Sequence, residues 1–261
     1  MEHVIMVTHN LIQWIRDTIP EDKVAVIGIS GGKDSAVAAA LCVEALGEDR
    51  VVGIIIPNDT QADIKDAYYI VNHLDIPHAT VNIGRSVLNI QTEVIDLFED
   101  LQIDRIPRNA RSSLIGHIRN DTLHMIAESV NGVVVNPITY TKTVINYYDD
   151  ALDENTIFPF IDLTNKEVRK IGKYMDIPDF IIEKKSRLDS VAETAEDVAG
   201  MPLDKLDDLI RAFTFDNFME SEEDFAELTI KQASQKESTI SLISSLSLQN
   251  IFTYDPLSYG G

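Results

Sequence analysis

The chain has 261 residues, 44% hydrophobic and 25% charged, and its 22 Lys and Arg against 43 Asp and Glu give a formal net charge of −21 at pH 7. That length and apolar share provide a packed core for one large or two small domains and exclude wholesale disorder. The acidity opposes phosphate backbones and anionic membrane surfaces, so neither nucleic acid nor a membrane is an expected partner, and the surplus carboxylates read first as a solubilising surface.

In chain order, Val4, Val7, Leu11, Trp14, Ile15 and Thr18 fall on one face of a helix over residues 4–18. The same stretch lacks the basic start and apolar run of a signal peptide. No run approaches the roughly 18 apolar residues of a membrane helix. Residues 23–29 form a short apolar run suited to a buried strand, and Ser30-Gly31-Gly32-Lys33-Asp34-Ser35 follows directly. A helix is predicted over 36–46, closed by Gly47. A second strand covers 51–56 and ends at Pro57, a helix covers 63–74, and a third strand covers 79–83. Helix over 122–129, strand over 132–136 and helix over 166–175 continue the alternation less regularly. Strands without a polar face, alternating with helices, predict an α/β fold whose parallel sheet has helices on both faces. The composition changes at Phe215: residues 215–261 start acidic and end serine-rich, a short C-terminal helical or flexible extension to a domain over 1–214. The single cysteine, Cys42, lies within the helix over 36–46 and reads as core. With no Cys-x-x-Cys pair, the chain fits a reducing, cytoplasmic compartment.

The chemistry concentrates in residues 30–35. Two glycines let backbone pack against an anion, successive N–H groups and serine hydroxyls point at it, and the helix that follows adds its positive end. The spacing is neither that of a Walker A loop nor G-x-G-x-x-G. The form Ser-Gly-Gly-x-Asp-Ser resembles the pyrophosphate loop of the ATP pyrophosphatases. Further matches in order are Ala45-Leu46-Gly47, Val51 through Pro57, Thr60-Gln61 with Asp63 and Asp66, Pro159-x-x-Asp162-Leu163, Glu167-Val168, Ile177-Pro178, Ile181 through Lys184, Glu196, Gly200 and Leu206 through Ile210. Over about residues 4–212 the chain is therefore similar to the ammonia-dependent NAD synthetases. The resemblance implies a Rossmann-like sheet, a homodimer, and amidation of deamido-NAD through an acyl-adenylate with ATP, Mg²⁺ and ammonia, releasing AMP and pyrophosphate. It implies ATP binding by Ser30, Gly31, Gly32, Lys33, Asp34, Ser35, Gln61 and Arg119, and deamido-NAD binding by His124, Asp153 and Lys184. Asp34 is the implied Mg²⁺ ligand and a catalytic group, and Lys142 and Arg187, which stand where the chain departs from the family, are the other two candidate catalytic groups. The length leaves no room for a glutamine-hydrolysing domain, so ammonia is expected free or from a partner.

Several family positions differ. Asn136, Pro137 and Lys142 stand where the family has Gly-Thr and a Mg²⁺-binding glutamate, residues 146–153 lose a lysine, Gly116-His117-Ile118-Arg119 keeps only the second of two arginines, and Arg187 replaces a small residue. Proline offers a phosphate neither hydroxyl nor N–H, and lysine cannot ligate a cation. Either Lys142 and Arg187 supply positive charge directly, or the reaction is weakened, lost or redirected to another acid. A silent nucleotide-binding homologue is the alternative from a different class. Elsewhere, His117 and His124 have no third zinc ligand at suitable spacing. Asp149-Asp150 and Asp153-Glu154 are either metal ligands or a solvated loop. Arg105, Arg108 and Arg111 either cover an anionic ligand or form a surface loop.

Overall fold

The computed structural model describes residues 2–59, 64–98, 105–106, 108–145, 155–185 and 195–215. Gln61, Asp153 and Arg187, the acids at 149–154 and the extension beyond Phe215 lie outside them. The elements are α1 (Glu2–Thr18), β1 (Val24–Gly28), α2 (Lys33–Leu46), β2 (Val51–Ile55), α3 (Ile64–His73), β3 (His78–Thr80), α4 (Gly84–Asp96), α5 (Arg108–Ser129), β4 (Gly132–Val135), α6 (Tyr140–Val144), β5 (Thr156–Ile157), α7 (Asn165–Tyr174), α8 (Asp179–Ile182), α9 (Ala195–Ala199) and α10 (Leu203–Phe215).

The five strands pair in the order β3-β2-β1-β4-β5, and every pairing is parallel. Alternate residues of each strand point to opposite faces. Ala25, Ile27, Val51, Ile55, Val133 and Val135 pack with α1, α2, α3, α7 and α8 in one core. Val26, Ile54 and Val134 pack with Val87 of α4 and Ile115, Leu123 and Ala127 of α5 in the other. Burial on both faces explains the unbroken hydrophobicity of β1, β2 and β4. The expected sheet with helices on both faces is what the chain forms.

The boundaries moved where local pattern was thin. The helix expected over 122–129 is the end of α5, which starts at Arg108. The third strand sits at His78–Thr80, with every residue exposed on the sheet edge, rather than over 79–83. The helix expected from 36 starts at Lys33, which brings Lys33, Asp34 and Ser35 into its first turn.

Cys42 is a free, fully buried thiol, and burial pushes its pKa up to about 12. Because the thiolate is the nucleophile, the native protein at pH 8 resists thiol-disulfide reagents and reacts only on unfolding, as measured by labelling across a urea titration. At Gly172 of α7, an added Cβ would lie 2.3 Å from Ile182 Cδ1 and 2.7 Å from Val37 Cγ2. Gly172→Ala therefore overpacks the α2–α7–α8 junction and lowers stability by about 1–3 kcal/mol, read from the urea midpoint.

Candidate functional site

Connections on one face carry the chain from β1 through β2 to β3, and α4 and α5 on the other face return it to β4 beside β1. The crossovers thus reverse between β1 and β4. In open parallel sheets the crevice at the carboxyl ends of such strands is the usual ligand position. A cleft of about 250 Å³ lies there, lined by Ser30 after β1, Ile56 after β2, Arg119 and Asn120 of α5, and Asn136 and Pro137 after β4. Its size suits a nucleoside better than a whole dinucleotide. Arg119 is held on the wall by its Nε, which donates to the Ile56 carbonyl at 2.9 Å.

Ser30 belongs both to this wall and to the glycine loop. Gly31 has φ 80°, a left-handed turn that glycine adopts without strain. The loop is prebuilt by its own serines. The Ser30 and Ser35 hydroxyls lie 3.2 Å apart, the Ser30 N–H donates to Ser35 Oγ at 3.3 Å, and Ser35 Oγ donates to the Gly32 carbonyl at 3.1 Å. Gly32 is the N-cap of α2, and no side chain caps that end. An uncapped helix start behind a glycine turn favours anions.

Asp34, in the first turn of α2, is buried between two ammonium groups. Lys33 Nζ lies 2.7 Å from Oδ1 and Lys142 Nζ lies 2.7 Å from Oδ2. Burial alone would raise the Asp34 pKa, but Lys142 and Lys33 outweigh it and hold the carboxyl well below the usual carboxylate range. Burial lowers the pKa of Lys33, against the opposing pull of Asp34.

Lys142 comes from α6, whose start is capped by Thr139. Its neighbour Thr141 donates to Asp207 Oδ1 at 2.5 Å and accepts from the Asn165 N–H at 2.8 Å, while Asp207 Oδ2 accepts from the Lys166 N–H at 2.6 Å. Asp207, on α10, thereby fastens the short helix carrying Lys142 to the start of α7. Lys184, just beyond α8, donates to the Gly31 carbonyl at 3.2 Å and to Asp66 Oδ2 at 2.6 Å.

A family model described as NAD synthase matches residues 7–252. The chain belongs to the NAD synthase family. Among its relatives, the NH(3)-dependent NAD(+) synthetase of Pyrococcus furiosus is 28% identical over 206 residues, 78% of this chain and 76% of that one. The enzyme of the same name from Methanosarcina acetivorans is 30% identical over 210 residues, 78% of this chain and 80% of that one. Two solved structures share the fold. An NMN synthetase from Francisella tularensis superposes with a TM-score of 0.69 at 24% identity, covering 80% of this chain and 86% of that one. An NH3-dependent NAD synthetase from Campylobacter jejuni gives 0.57 at 18% identity, covering 94% and 92%.

For this NAD synthase family member, the loop Ser30–Ser35, Arg119, Lys142 and Lys184 gather along the carboxyl ends of β1, β2 and β4. His124 does not line the cleft; its Nε2 faces the Thr156 hydroxyl of β5 at 3.5 Å. Lys33, grouped with the ATP contacts, is turned inward onto Asp34 and is 5% exposed. The expectation that Asp34 ligates Mg²⁺ does not suit this donor set. Mg²⁺ needs oxygen ligands in near-octahedral array, yet both Asp34 oxygens are ion-paired and the facing residue is Lys142. Among the described residues, no group of three carboxylate, imidazole or thiol side chains could hold a metal ion. Sequence reading missed Asn120 on the cleft wall and Asp207 behind Lys142. The spacing of Gly116, Arg119, Asn120 and Leu123, which places them on one helical face, was the available signal for Asn120. Asp207 gave none beyond its place in the family order.

Proposed function

We propose that the chain catalyses ATP-dependent amidation of deamido-NAD by ammonia. The observation that carries this reading is the uncapped α2 start behind Ser30-Gly31-Gly32, flanked by Lys142 and opening on a nucleoside-sized cleft, in a member of the NAD synthase family. A pyridine carboxylate oxygen attacks the α-phosphorus of ATP, the bond to the β-phosphate oxygen breaks, and pyrophosphate leaves. Ammonia then adds to the acyl carbon, its nitrogen gives up one proton to solvent, and AMP departs with the acyl C–O bond pair, leaving the amide. Each step builds negative charge on phosphate oxygens, so fixed donors do most of the work. The loop N–H groups and the Ser30 and Ser35 hydroxyls hold the pyrophosphate, Lys142 meets the developing charge, and Arg119 borders the nucleoside. Gln61 completes the ATP side, Arg187 joins Lys142 as a catalytic source of positive charge, and Asp153, Lys184 and His124 serve deamido-NAD. Mg²⁺ enters only as the counter-ion that ATP itself carries.

Residues 1–214 hold this machinery, with 215–261 as an extension, in a cytoplasmic protein. A homodimer is part of the proposal. Leu88, Ile95 and Leu97 on and just after α4 and Met125 on α5 are large exposed apolar side chains that pairing would bury. Sedimentation should give twice the chain mass, and Leu88→Arg should shift it towards the monomer.

Pro137 in the cleft wall favours a second reading, because it cannot offer an N–H to a phosphate there. That reading is a weakened or silent homologue, or an enzyme for another acid. One experiment separates the readings: purified protein with ATP, Mg²⁺ and ammonium is given deamido-NAD or, separately, nicotinate mononucleotide. Equal yields of NAD, AMP and pyrophosphate, absent in Asp34→Ala, support the first reading. Amidation of the mononucleotide alone moves the reaction to another acid. ATP binding by thermal shift with no AMP from either substrate sinks the enzymatic reading.

A further inference from the structure

The Lys33–Asp34–Lys142 group carries one more positive than negative charge, and it sits at the helix start that closes the glycine loop. Lys33 is sealed at 5% exposure, whereas the Lys142 side chain keeps 18%. Of the two lysine side chains, Lys142 is thus the one that keeps surface open to a ligand. Its placement is fixed from two sides, by Asp34 at 2.7 Å and by the Thr141–Asp207 contact one residue away. An ammonium has three N–H donors, so a carboxylate and a phosphate oxygen can share it. A carboxylate with an ammonium on each oxygen is a poor seat for a divalent cation, because binding one would displace at least one buried ion pair and bring further positive charge beside the other.

We propose that the Lys142 ammonium, tethered to Asp34, does at this loop what a protein-bound divalent cation would do, so that pyrophosphate groups bind this chain without Mg²⁺. The proposal rests on the phosphate-loop reading above and goes beyond it by making pyrophosphate binding independent of a protein-bound metal. It also gives the α6–α10 contact a purpose: a tethered cation must be held in place by the fold, where a metal ion would place itself.

The test is calorimetric titration of the full-length protein with inorganic pyrophosphate, once in excess EDTA and once in millimolar Mg²⁺. The expected result is binding in both, with affinities within a factor of about three. In EDTA, Lys142→Met should weaken binding by about tenfold to a hundredfold, the weight of one charge-assisted contact, and Lys142→Arg should recover most of it. Lys142→Glu should make binding depend on Mg²⁺. Thermal unfolding checks that each variant is folded, and the wild-type comparison needs no variant at all. Binding by the wild type that tightens tenfold or more with Mg²⁺ overturns the tethered-cation proposal while leaving the phosphate loop standing. Pyrophosphate that fails to bind under either condition overturns both.

Discussion

Asp34→Asn destabilises the folded chain by about 3 kcal/mol, the lower end of the cost of breaking a buried ion pair from one side. Asparagine keeps the shape of the side chain but leaves the Lys33 and Lys142 ammonium groups facing each other with no carboxylate between them. Lys33→Met in the Asp34→Asn background should restore part of the loss, because one of the two uncompensated charges goes with it. The pH dependence has a fixed sign. The folded-state pKa of Asp34 lies below its unfolded value of about 3.9. Its contribution is therefore fully present above that unfolded value and is lost as pH falls through the folded one. The stability gap between wild type and Asp34→Asn should stay level from about pH 7 to pH 5 and narrow below about pH 4, as read from urea midpoints.

Lys142→Met lowers the rate of AMP formation by about 10²–10³-fold, the usual cost of removing one fixed charge stabiliser from a reacting phosphate. The effect should fall on kcat more than on KM for ATP, because negative charge grows on the bridging and leaving oxygens only as the bond breaks. The variant loses the ammonium on Asp34 Oδ2 but keeps Lys33 on Oδ1, so the carboxylate stays paired and the fold is retained. A change of less than about threefold in kcat would place Lys142 outside the reaction and make it a structural partner of Asp34 alone.

The glycine loop was legible because everything that defines it is local: an apolar run, two glycines between serines, and a helix former directly after. The strands β1, β2 and β4 were legible because burial on both faces makes them continuously hydrophobic. α4 was not, since it buries little beyond Gly84, Val87 and Gln91 while Leu88 and Ile95 stay exposed, which blurs a 3.6-residue pattern. β5 is two residues long and α6 five, too short for periodicity to register. Within the site, the positive charge of Lys142 was legible as a departure from the family order. Its partner was not, because a contact between the first turn of α2 and α6 is set by the sheet order and leaves no trace in spacing. The same limit explains Lys33. Its neighbours in sequence mark it as a phosphate contact, whereas the helix that begins at Lys33 turns the side chain inward onto Asp34. The acidity of the whole chain acquires a counterpoint here, since the buried cluster at the loop is net positive inside a strongly negative envelope.

Whether this loop and its tethered lysine activate a carboxylic acid with ATP is read from pyrophosphate exchange. Protein, ATP, radiolabelled pyrophosphate and deamido-NAD are incubated without ammonia, and the label entering ATP is counted. An acyl-adenylate formed reversibly at the loop predicts label in ATP that requires deamido-NAD and is lost in Lys142→Met. Protein that binds both ATP and deamido-NAD yet incorporates no label, or incorporates it equally without the acid, forms no acyl-adenylate at this loop.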